Sequence, residues 1–134
     1  DERYIRFGTF GARLDDVLNY IPARLAFLIM PLAAWLTGNS GRQAWRIARR
    51  DHAHHASPNA GVPEAAMAGA LQIRLGGPTV YDGTVEQKEY FGAELRAAEP
   101  GDVWRSIRVM WLASALGFLA AVAGAWFRSR WWCW

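Results

Sequence analysis

Three groups of residues in this 134-residue chain have types and spacings that could do chemistry. The first is the adjacent pair Asp15-Asp16, followed by Asn19 and, a turn further on, by Arg24. On a helix Asp15 and Asn19 share a face. The two carboxylates either flank a helix N-terminus, where the dipole favours them, or bind Mg²⁺ and through it a nucleotide phosphate. The second group is Asp51-His52-Ala53-His54-His55, just after a basic run of Arg42, Arg46, Arg49 and Arg50. No second ligand cluster stands at a recognisable spacing, so a single histidine serving in acid–base work or as a phosphate ligand is the better reading than a metal site. The third is residues 57–81. Ser57-Pro58-Asn59-Ala60-Gly61 is turn chemistry, Pro63-Glu64 opens a helix, and Ala65 to Leu71 is a run of small side chains. Gly76-Gly77-Pro78 is expected to stop that helix. A helix of Ala and Gly brings its backbone close to a neighbour, either another helix or a ligand.

The elements that must position these groups are apolar and segregated. Hydrophobic residues make up 52% of the chain, concentrated at 17–37 and 109–127. Residues 109–127 carry no charge and are long enough to span a membrane, with Gly117, Gly124 and several Ala giving small-residue surfaces. Residues 25–37 alone would reach about 20 Å against a hydrocarbon core of roughly 30 Å. A span must therefore start near Val17, which puts Arg24 at membrane depth, or else the segment re-enters, helped by Pro22 and Pro31. Four of the eight Trp lie in the last nine residues beside Arg128 and Arg130, as at a membrane–water interface. The basic run after the first apolar segment marks its side as cytoplasmic and reads as topology, not as a nucleic-acid contact.

Residues 1–16 are polar and basic, with Gly8 and Gly11 expected to break regular structure. Residues 82–102 read as a solvated loop and short helix. The lone Cys133 excludes an internal disulfide. With no charged-then-apolar leader, the chain reads as starting within a longer protein. The fold class expected is all-α: an integral membrane helical protein forming a partial bundle, with a cytoplasmic helix-loop region at 38–108.

Together these motifs resemble the adenosylcobinamide-phosphate synthase family, integral membrane proteins of cobalamin (vitamin B12) biosynthesis. The resemblance is carried by Glu2-Arg3-Tyr4 with Gly8, Ala12-Arg13-Leu14-Asp15-Asp16 with Asn19, Pro22-Ala23-Arg24-Leu25, Ala44-Trp45-Arg46 and Arg50-Asp51. It continues through His55, Ser57 to Gly61, Pro63 to Leu71, Leu75-Gly76-Gly77-Pro78, Tyr81, Gly83 and the stretch from Asp102 to Met110. Val62, Ala56 and the 84–91 loop depart from the pattern. Family members are about twice this length, so the resemblance implies the C-terminal half of a single synthase domain, multi-pass in a bacterial inner membrane.

The reaction implied is ATP-dependent amide formation between a corrin carboxylate of adenosylcobyric acid and aminopropanol or its phosphate. A carboxylate is a poor electrophile, so activation as an acyl phosphate is expected, with Mg²⁺, cationic phosphate ligands and a base for the amine. Under that resemblance Asp15 and Asp16 hold Mg²⁺, Arg24 and Arg50 meet phosphate or carboxylate oxygens, and His55 or Glu64 is the base. Ser57, Asn59, Gly61, Gly76, Gly77 and Tyr81 bind substrate or phosphate, the 57–61 turn through its backbone amides. The implied partners are the corrinoid, the amine, membrane lipid and the N-terminal half, with no nucleic acid. Rival readings are a non-enzymatic sensor of the related β-lactamase-regulation branch and an inactive fragment. A simple span over 17–37 would put Asp15-Asp16 and the Ser57 turn on opposite membrane faces, so a shared site predicts a segment that does not simply span.

Overall fold

The computed structural model describes residues 2–55, 57, 59–81 and 83–131. Pro58 of the expected turn, Cys133 and the last two Trp lie outside the described residues, as does the side chain of Tyr81. In chain order the elements are α1 (Glu2–Leu36), α2 (Gly41–Asp51), a 3₁₀ turn (His52–His54), α3 (Gly61–Leu71), β1 (Leu75–Gly76), β2 (Thr79–Tyr81), β3 (Thr84–Glu86), β4 (Tyr90–Phe91) and α4 (Pro100–Trp131).

One expectation about α1 is corrected: Gly8 and Gly11 do not break it. Pro22 and Pro31 also lie within the same continuous helix. Isolated glycines weaken a helix without stopping it, and what ends α1 is a full left-handed cap. Gly38 takes φ +75, its N–H donates to the Trp35 carbonyl at 3.1 Å, and the Asn39 N–H donates to the Ala34 carbonyl at 2.8 Å. The chain then turns back. Ser40 caps α2, accepting from the Gln43 N–H at 3.3 Å, and Trp45 of α2 meets Phe27 of α1 with ring centroids 4.4 Å apart. α2 therefore runs antiparallel to α1, burying Ala44, Ile47, Ala48 and Asp51 and exposing its arginines.

α3 completes a helical hairpin with α2. Gly69 is needed here, because a Cβ would fall on the Gln43 carbonyl oxygen and the Ala44 Cα. Ala65, Ala66, Ala68 and Ala70 are fully buried in the same contact, so the small-residue run packs against another helix of this chain. The helix stops at Leu71, five residues before the expected Gly76-Gly77-Pro78. Gln72 adopts φ 55, and the Gln72 and Ile73 N–H groups donate to the Gly69 and Ala68 carbonyls.

The all-α expectation is corrected to mostly helical. No helix forms over the described residues 83–99; β1 pairs antiparallel with β4, and β2 with β3, as one short ladder nested within the other. The reason is local. Thr79-Val80-Tyr81 and Thr84-Val85-Glu86 are β-branched or aromatic, and they flank Asp82-Gly83, a two-residue hairpin signal, with Gly83 at φ +78.

α4 returns along α1. Arg105 reaches Asn39 at the C-terminal end of α1, and Gly117 lies nearest Ile29, 3.9 Å from where its Cβ would be. Beyond Gly117 α4 is exposed throughout its described side chains. Two stretches, Thr9–Leu36 and Pro100–Arg130, are long and apolar enough to cross a membrane by length and composition.

Candidate functional site

Because α2 runs back along α1, the turn after it arrives beside the paired carboxylates. The Ser57 hydroxyl donates to Asp16 Oδ1 at 3.2 Å, and the buried Asn59 side-chain amide donates to the Asp16 carbonyl at 2.7 Å. The return along α1 is made by α2, with no break in α1. A pocket of about 340 Å³ opens there, walled by Asp15, Asn19, Pro22 and Ala23 of α1 and by Ser57, Asn59, Ala60 and Pro63. Asp15 lies on this wall, with Oδ1 accepting from the Asn19 amide at 2.8 Å. Gly61 packs beneath the turn, where a Cβ would strike the His52 carbonyl.

A second, larger cleft of about 790 Å³ lies along the other side of the same loop. His54, His55, Glu64, Gly76, Gly77 and Lys88 line it. Here the sequence-expected His55, Glu64, Gly76 and Gly77 come together. His55 Nδ1 accepts from the Ser57 N–H at 2.9 Å and lies 3.2 Å from the Ser57 carbonyl oxygen. Glu64 stands exposed in the first turn of α3 with no hydrogen bond or ion pair among the described residues. His54 Nε2 meets Glu89 at 3.0 Å while its Nδ1 faces the Tyr90 carbonyl at 3.2 Å. Gly77, at φ +90, packs on the Tyr90 ring, leaving no room for a Cβ.

The structure does not bring every expected residue to these cavities. Arg24 is exposed on α1 with its guanidinium over the Tyr20 ring at 4.4 Å. Tyr81 lies in β2, and its side chain is outside the described residues. Arg50 is held by two carboxylates, donating to both Asp51 oxygens and to both Glu94 oxygens, the latter at 2.8 and 2.9 Å. Those hydrogen bonds to Asp51 and Glu94 raise its pKa still further above the ordinary value, despite opposition from burial.

Asp51 carries more of the architecture than its sequence context suggests. It is 1% exposed and accepts the Gly92 N–H at 2.7 Å as well as the Arg50 pair. Burial opposes its ionisation, but the hydrogen bonds from Arg50 and Gly92 outweigh this and hold its carboxyl below the usual range. Glu94 is lowered as well, chiefly by its hydrogen bond from Arg50. This clamp fastens the strand-bearing loop, and with it the cleft wall, to the helical hairpin. A second clamp joins Arg96, Asp102 and Arg105: Arg96 makes a two-pronged bond to Asp102, 2.7 Å on each arm, and Arg105 bridges Asp102 to Asn39. A helical wheel places Asp51 opposite Arg42, Arg46 and Arg49, on the face that α2 buries; nothing local in the sequence pairs Glu94 or Asn39 with their partners.

Asp51, His54 and His55 point to separate partners, and among the described residues no group of three or more His, Cys, Asp or Glu could hold a metal ion. A Mg²⁺ held jointly with phosphate oxygens needs only one or two carboxylates, and Asp15 fits that role with the Asn19 amide beside it. Asp16 fits less well, as it is half-buried and, unlike Asp15, does not line the pocket.

Residues 1–110 match the family model described as CobD/Cbib protein. The chain belongs to the CobD/CbiB family. It is 51% identical over 110 residues to the cobalamin biosynthesis protein CobD of Desulfotalea psychrophila, covering 82% of this chain and 33% of that protein. It is 50% identical over 122 residues to the CobD protein of Geobacter metallireducens, covering 90% of this chain and 38% of that one. The CbiB protein of Salmonella typhi is 46% identical over 126 residues, covering 92% of this chain and 40% of its relative. The chain spans well under half the length of the curated relatives it matches. No solved structure matches it.

Proposed function

We propose that this CobD/CbiB chain forms part of a membrane-embedded, ATP-dependent amide ligase that joins adenosylcobyric acid to aminopropanol or its phosphate, giving adenosylcobinamide or its phosphate. The observation that supports this best is the meeting of Asp16 with the Ser57–Asn59 turn. It sets a carboxylate-bearing pocket and a cleft holding His55, Glu64 and Lys88 on two sides of one loop.

In this reading the substrate carboxylate takes the γ-phosphoryl group of ATP, releasing ADP. The amine then attacks the acyl carbon, phosphate leaves, and a base takes the amine proton. Glu64 is the better base, because it is exposed and unengaged, whereas His55 Nδ1 is committed to the Ser57 amide. His55 instead donates from Nε2 to a phosphate or acyl oxygen in the cleft, which is also lined by Lys88, paired with Glu86 at 3.1 Å. Asp15, with Asn19, would hold Mg²⁺, which when bound neutralises phosphate charge. Asp16 and Asn59 position the turn. Arg50 acts through its clamp on the cleft wall. The protein sits in a bacterial inner membrane through α1 and α4, and the remaining length of the family closes the bundle.

The test is complementation of a strain that requires cobinamide, by the chain alone and together with the rest of a family member's length. Growth is expected only when both are present, and Glu64→Gln should abolish it while leaving the protein in the membrane fraction. Growth undiminished by Glu64→Gln removes Glu64 as base; no growth from the intact combination removes the ligase reading.

A further inference from the structure

The basic face of α2 is not absorbed by either cavity. At about 100° per residue, Arg42, Arg46 and Arg49 fall within about 60° of arc, and they spread over roughly 10 Å of helix. Together with Trp45 and Arg50 they line an open groove of about 500 Å³. Arg50 is neutralised by Asp51 and Glu94, but among the described residues no carboxylate stands within ion-pair distance of Arg42, Arg46 or Arg49. Trp45 remains 40% exposed although it packs on Phe27 of α1. That contact joins the groove to an apolar flank of α1 where Leu28, Leu32 and Trp35 are exposed. The cationic strip is thus continuous with the surface of a helix long and apolar enough to cross a membrane.

We propose that this groove binds the phosphate headgroup of an anionic phospholipid, whose acyl chains lie along α1. Three unpaired guanidinium groups supply the charge, and each suits two-pronged bonding to phosphate oxygens. An exposed Trp at the edge of an apolar flank matches the headgroup level of a bilayer. A free phosphate is a poorer occupant, because the three arginines are strung along the helix and are not gathered round one point. The inference rests on α1 and α4 being in the membrane.

The test is native mass spectrometry of the full chain, extracted in mild detergent from membranes that contain phosphatidylglycerol and phosphatidylethanolamine. Phosphatidylglycerol should be retained preferentially. Retention should fall about tenfold in Arg42→Gln/Arg46→Gln/Arg49→Gln and persist in the matching triple Lys variant, since the charge near the surface carries most of the attraction. The intact protein washed in high salt should also lose the lipid, a readout that survives if the Gln variant does not fold. Equal retention of both lipids, or full retention by the triple Gln variant, overturns the proposal. Displacement of the lipid by millimolar pyrophosphate or ATP overturns the lipid assignment in favour of a free phosphate. Release of the chain from membranes by alkaline carbonate sinks the membrane reading itself, and the proposal with it. A carbonate-resistant chain without phosphatidylglycerol sinks this proposal alone.

Discussion

α3 and the apolar half of α4 are written in nearly the same alphabet, Ala and Gly with a few larger apolar residues, yet they have opposite surroundings. In α3 every Ala and Gly from Ala65 to Ala70 is buried, and Gly69 touches the backbone of α2. In α4 the residues past Gly117 are exposed, nothing lies within 4 Å of where a Gly124 Cβ would be, and Trp111 is 75% exposed. The difference is that α3 has its partner in this chain and α4 does not. Small residues allow close approach without specifying what approaches. In α3 the partner is fixed by chain length, since the turn after α2 is short and returns α3 antiparallel onto it. Under the proposed function, the partner of α4 is the bilayer or the remaining length of the family.

That contrast can be broken most directly at the two glycines. Gly69→Leu forces α2 and α3 apart and should cost about 3 kcal/mol or more, enough to abolish a cooperative melt in detergent. Gly124→Leu should change the melting temperature little, within about 0.5 kcal/mol, because its side chain enters open space. Equal effects at both sites would mean that α4 has a tight partner after all, or that α3 does not.

Between these extremes lie the polar contacts of the hairpin region. Asp51→Asn keeps the shape but removes the charge that holds Arg50 and Gly92. It should destabilise by about 2 kcal/mol and open the 75–99 loop to limited proteolysis. Asn59→Ala removes the donor to the Asp16 carbonyl, with an expected cost of about 1 kcal/mol and a weaker hold of the turn on α1. The pH dependence follows from the sign of the Asp51 shift. Its folded pKa lies below the ordinary value of 3.8, so its contribution is present above that pH and is lost as pH falls through the lower folded value. Acid melts should therefore show a fall in stability below about pH 4 that is shallower in Asp51→Asn.

The site was partly legible before the fold. Asp15-Asp16, Ser57, Asn59, His55, Glu64 and the Gly76-Gly77 pair could be picked out by residue type and spacing, and most of them line the two cavities. What could not be picked out were the partners. Arg50 looked like an anion ligand because its two carboxylates are Asp51, the next residue, and Glu94, which is 44 positions away. The hairpin of β2 and β3 was legible in Asp82-Gly83 but was outweighed by the charge of the surrounding stretch.

By itself the sequence determined which stretches are apolar enough for a membrane, where helix and turn residues sit, and the family. These depend on short-range pattern, which is written along the chain. Only the tertiary structure decided that α1 runs unbroken through two prolines, that α2 folds back to carry the Ser57 turn to Asp16, and that α3 spends its small residues on α2. Those outcomes depend on which distant surfaces meet, and a run of Ala, a pair of acids or a row of arginines does not encode its own neighbour.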